Sequence, residues 1–164
     1  MTALCAQRLA HFNHGHAGEA AVAGLLHRAG EAQVLMVCAN TEMAEGFVLS
    51  APSRQRLSAA HAELLTAALL EKWQLPARVR HAALVWRHCG GEVHANAEAA
   101  AVYLGHLLAA ELLHPQFCLV ERAAEIGESL GFSRASLQDV RAAAPQLRQM
   151  LALIACELAA PRDP

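Results

Sequence analysis

No stretch of this sequence alternates apolar and polar residues over the length of a strand, and that constrains the fold more than any motif does. Apolar residues make up 55% of the chain but aromatics only 4%, so the apolar content is mostly Ala and Leu. These two lose least on entering a helix: Ala has no rotamers to freeze, and Leu keeps most of its own. Val and Ile are sparse. The expectation is all-α: a single compact multi-helix domain over residues 1–164, long enough to bury a sizeable core.

Helix boundaries follow from periodicity and breakers. A first helix is expected over 3–12, with Leu4 and Leu9 inward, broken over Asn13–Gly18 by two glycines. A second runs over 19–28 and stops near Gly30. The short apolar run 32–39 reads as helix or strand, and its surroundings favour helix. Residues 40–54 are the least regular, with Gly46 and Pro52 as breaks. After Ser53 as N-cap, a long helix reaches about Gln74, with Leu57, Leu64, Leu65 and Leu69 on one face. Pro76 opens a helix striped by Val79, Ala83 and Trp86, stopped by Gly90 and Gly91. A further helix spans 96–113 and halts at Pro115. Ser133 caps a helix containing Leu137 and Val140, and Pro145 opens a last one carrying Leu147, Leu151, Ile154 and Leu158. Trp73, Trp86, Tyr103 and Phe132 sit at helical spacing among leucines and read as core or interface anchors.

Several function classes are disfavoured. A net charge of −2 with scattered arginines argues against nucleic acid. No apolar run reaches the ~18 residues of a membrane span, and the N-terminus has no secretory pattern. Five cysteines, odd in number and without a C-x-x-C pair, suit buried thiols in a cytoplasmic protein. Cys89, at a helix end before two glycines, is expected to be partly exposed and passive. No P-loop, dinucleotide fingerprint or nucleophile elbow occurs.

Three segments in order carry a resemblance. The first is Ala23-Gly24-Leu25-Leu26-His27-Arg28-Ala29-Gly30. The second is His61-Ala62-Glu63 followed by Leu69-Leu70-Glu71-Lys72-Trp73-Gln74-Leu75-Pro76. The third is Ala83-Leu84-Val85-Trp86-Arg87-His88, then Val102-Tyr103-Leu104-Gly105-His106. With the tail Leu130-Gly131-Phe132-Ser133, this resembles the HDOD family, a signalling branch of the HD phosphohydrolase superfamily. The resemblance covers about residues 9–158 and leaves the family's larger N-terminal bundle without a counterpart. Compared with the family's usual spacing, this chain carries one residue more between His61 and Trp73 and one more between Pro76 and His88. In an unbroken helix each insertion turns the residues beyond it by about 100°.

The resemblance implies a site where catalytic relatives hold one or two metals through His and Asp, activating water against phosphate. Here the His-Asp pair reads His27-Arg28, and the later aspartate position holds His106. A guanidinium cannot ligate a metal, and its charge opposes one nearby. What remains is His27, His61, His88 and His106, a candidate all-nitrogen set for zinc or a similar divalent transition metal. The competing reading makes them inherited positions that now serve as polar packing residues, with no cofactor and no catalytic residue. Arg28 has Glu31, Glu63, an anion or solvent as its options. His11, His14 and His16 form a second, weaker metal-like pattern.

The function these features imply is a non-catalytic signal-transduction or regulatory module. It would act through contacts with an unidentified protein partner or a second copy of itself, and the last helix offers one face. The alternatives are a divergent metal-dependent phosphohydrolase for a nucleotide or cyclic dinucleotide, and a metal or small-molecule sensor.

Overall fold

A computed structural model describes residues 1–89, 96–114, 116 and 119–159, the last four as backbone alone. The elements are α1 (Thr2–Phe12), α2 (Ala17–Leu26), α3 (Ala29–Glu45), α4 (Ala51–Lys72), α5 (Ala77–Val85), a 3-10 turn at Trp86–His88, α6 (Ala97–Leu113), α7 (Val120–Ser129), α8 (Arg134–Ala142) and α9 (Ala144–Ala159). The all-α expectation holds, with no strand among the described residues. No described helix is long and apolar enough to cross a membrane.

The centre of the molecule explains why the chain is so rich in alanine. Helices α1, α2 and α6 pack on one another, and their crossings are lined by Ala6, Ala10, Ala20, Ala23, Ala99 and Ala101, all fully buried. A Cβ on Gly24 would lie 2.9 Å from Ala3 Cα, and one on Gly105 would lie 2.8 Å from Ala6 N. Helix backbones this close admit only small residues. The larger side chains Leu9, Leu104 and Leu108 fill the space beside the crossings, each contributing roughly 1.5–3 kcal/mol by burial.

The C-terminal helices are fastened by arginines as well as apolar contact. Arg8 on α1 reaches Asp139 on α8 at 2.7 Å. Arg141 on α8 grips Glu111 on α6 through two bonds of 2.7 and 2.9 Å. Arg148 on α9 donates to the Leu112 carbonyl at 2.9 Å, satisfying one of the acceptors a helix end leaves open.

Helices α3 and α4 form a hairpin that meets the rest mainly through α5. Its closest point is Gly30, where a Cβ would sit 1.9 Å from the Ala62 carbonyl oxygen. There the Gly30 N–H donates to Thr66 Oγ1 at 3.1 Å, and that hydroxyl donates to Ala62 O at 2.8 Å.

Several boundary expectations need correction. The second helix ends at Leu26, and Gly30 lies within the first turn of α3 rather than stopping anything. Only a turn at His27 and Arg28 separates the two helices, because α3 must bend away to meet α4. Gly18 is likewise inside α2. The cap of α4 is Ser50, whose side chain accepts from Ser53 N, with Pro52 in the first turn. On α4 the buried stripe is Ala62, Thr66 and Leu70, while Leu57 and Leu64 face solvent, since the crossing at Gly30 accepts only short side chains. Trp73 is exposed, whereas Trp86 and Phe132 are in the core with Tyr103 packed against it. Cys89 is buried, its thiol donating to Val85 O at 3.6 Å, contrary to the expected exposure. Helix α7 went unread in the sequence, although Ala123 and Gly127 lie one turn apart on its buried side. The breaks assigned to Gly90, Gly91 and Pro115 lie outside the described residues, as does the side chain of Leu158.

Candidate functional site

The turn between α2 and α3 places His27 at the middle of the molecule, 8% exposed. Its Nδ1 lies 2.8 Å from the Gly24 carbonyl and its Nε2 lies 3.2 Å from His106 Nδ1 on α6. A carbonyl only accepts, so Nδ1 of His27 carries the proton and Nε2 of the neutral ring is an acceptor. His106 Nδ1 must then donate, which leaves the lone pair on His106 Nε2. Trp86 meets both rings, edge-on to His27 at 4.7 Å and tilted against His106 at 4.8 Å between centroids.

Both imidazoles are held neutral. Burial, followed by the neighbouring His106, pulls the pKa of His27 from 6.5 down to about 4, opposed by the bond to Gly24. His106 is lowered by burial first and then by the charges of Arg28 and Arg87, against an opposing pull from Glu31.

Arg28, next in sequence, turns outward and forms a two-bond pair with Glu31 one turn along α3. Of the options open to it from sequence, Glu31 is the one this geometry fills. That contact also holds the Glu31 carboxyl below its usual pKa. Arg87 stands 3.9 Å from the same carboxylate with its guanidinium 5.2 Å from the Trp86 ring centroid.

The structure brings together two of the four histidines singled out from sequence. His61 is exposed on α4 and His88 is exposed at the end of the 3-10 turn. Neither lines the cavity beside His27 nor the grooves that reach His106. That cavity, between Arg28, Glu63, Thr66 and Leu84, has about 10 Å³, the room of one water molecule. The groove on the other side, about 650 Å³, is open and carries Arg28, Arg54, Arg87 and His106 on its wall.

These residues do not fit a two-metal centre. The nitrogen His27 would offer is taken by His106, the adjacent side chain is a guanidinium, and the one carboxylate in the groove wall, Glu31, is claimed by Arg28. Sequence reasoning missed Gly24 as the carbonyl that sets the tautomer and Trp86 as the ring packed against both imidazoles. Nothing in spacing alone marks a carbonyl. The second histidine pattern disperses: His11 lies edge-on to Phe12, His14 takes a left-handed φ of 54°, and His16 contacts Arg78.

A family model for the HDOD domain matches residues 1–88. The match takes in the first two motifs and residues 83–88 of the third, while residues 102–106 and the tail 130–133 lie beyond it. No curated protein and no solved structure matches the chain.

Proposed function

The chain belongs to the HDOD family, and from that premise we propose that it is a non-catalytic signal-transduction module acting in the cytoplasm through contacts with another protein. The single observation that carries the reading is the His27–His106 bond. In a metal-dependent phosphohydrolase the imidazole at this place gives its outer nitrogen to a metal beside aspartate oxygens. Here that nitrogen accepts from a second imidazole, and both rings are kept neutral by burial. Two imidazoles bonded to each other, with Trp86 packed against both, are a packing device.

The contact surface has two supports. Leu35, Met36, Met43, Phe47 and Val48 are exposed along α3 and the segment after it. Met150, Leu153 and Ile154 are exposed on α9. Apolar side chains grouped in this way are what a partner protein covers.

The test is an assay of the full chain for hydrolysis of nucleotides and cyclic dinucleotides with added Mn²⁺, Mg²⁺ or Zn²⁺, run beside a His27→Ala variant. Turnover indistinguishable from the no-protein control in both is the expected result. Metal-dependent turnover at ordinary enzyme rates that vanishes in His27→Ala would overturn the proposal and favour the divergent phosphohydrolase.

A further inference from the structure

Away from that pocket, two helix starts meet at the turn before α2. His16 caps α2 in extended backbone, and its N–H donates to Glu98 Oε1 at 3.0 Å. Glu98 stands in the first turn of α6 and is 5% exposed. Glu19 stands in the first turn of α2. One side-chain ligand atom from each of His16, Glu19 and Glu98 lies within 4.8 Å of the other two.

The arrangement is incomplete as it stands. Glu19 Oε2 is buried and has no hydrogen-bond partner. Neither carboxylate is ion-paired among the described residues. Two carboxylates drawn this close and withdrawn from water repel, and a buried acceptor with no donor costs its full desolvation. The positive ends of α2 and α6 ease the repulsion but give Glu19 Oε2 no donor. A divalent cation would satisfy the carboxylates and use the imidazole.

We propose that His16, Glu19 and Glu98 form a binding site for one divalent transition-metal ion, zinc by the chemistry of its donors, which ties the start of α2 to the start of α6. One imidazole and two carboxylates suit zinc, whose tetrahedral ligands stand about 3.4 Å apart. Exposed His16 has the freedom to close the remaining distance by side-chain rotation. Arg78 on α5, exposed and in contact with His16 Nε2, holds the imidazole when no ion is bound and competes with it.

Calorimetric titration of the full chain, prepared without a His tag, with Zn²⁺ alone tests this. Co²⁺ in its place reports coordination by its absorption. The expected result is one equivalent bound, with affinity reduced roughly tenfold or more in both His16→Ala and Glu19→Gln and retained or raised in Arg78→Ala. Without metal, His16→Ala should melt like the parent and Glu19→Gln, relieved of one repelling charge, at or above it, and both should lose the zinc-induced rise in Tm. Failure to bind about one equivalent overturns the proposal, as does binding that survives both substitutions. The site is independent of the non-catalytic reading: loss of zinc in His27→Ala alone would place the ion in the other pocket and overturn this proposal directly.

Discussion

At the scale of the residue, the molecule turns on the ionisation of His27. Folded, its imidazole stays neutral down to about pH 4, while in the unfolded chain it charges near 6.5. The unfolded state therefore binds the proton first on acidification. Stability is intact above pH 6.5 and declines as pH falls through that value toward 4, by on the order of 3 kcal/mol if the whole difference is expressed. His106 is shifted the same way and adds to the slope. Urea unfolding at pH 7 and pH 4.5 should show this loss, and His27→Phe, which keeps an aromatic ring against Trp86 without a titrating group, should flatten the dependence. The residue was legible in sequence through its motif. Its state was not, since the tautomer is set by the Gly24 carbonyl and the neutrality by burial under Trp86.

At the scale of the element, the chain relies on backbones that touch. Gly30 closes the final position of the first motif, and the structure shows why that position is a glycine: α3 rests directly on the α4 backbone at Ala62 and Thr66. A Gly30→Ala change must push the helices apart and break the Thr66 bond, at a cost of about 3 kcal/mol or more. Gly18→Ala is the control. Nothing lies within 4 Å of its Cβ, so stability should hold or rise by up to about 1 kcal/mol. Thermal melts of the two variants check the contrast. Periodicity located α1, α4, α5, α6 and α8 because an exposed face repeats every turn. It misjudged which face of α4 is buried because leucines usually mark the core, and here the short side chains do.

At the scale of the whole molecule, stability is divided unevenly. Helix α6 buries ten of its 17 residues, among them Ala99 through Val102, Leu104, Leu108 and Leu112, and α1 packs on it through buried Cys5, Ala6, Leu9 and Ala10. Helix α3 buries only Gly30, Val34 and Cys38, and α4 only Ala62, Thr66 and Leu70. Opening the α3–α4 hairpin therefore exposes little apolar surface compared with separating α1 from α6. Hydrogen exchange read out by mass spectrometry should show α3 and α4 exchanging through a lower-energy opening while α1 and α6 exchange only with global unfolding. Equal protection across all four would refute this division. The apolar side chains left outside on α3 belong to the less protected unit, the one a bound partner would stabilise most.

Composition and pattern were enough to determine the helical class, most of the helices and the motif positions, because helix propensity and amphipathic period are local properties carried by a few neighbouring residues. Tertiary structure alone decided the site. His27 and His106 are 79 positions apart and meet because α2 and α6 both pack on α1. His61 and His88, equally marked in sequence, stay on the surface. Glu98, which no motif marks, is buried against His16 from 82 positions away. Which side chains share a cavity depends on how close two backbones come, and that was decided at Gly24, Gly30 and Gly105 by the absence of a side chain.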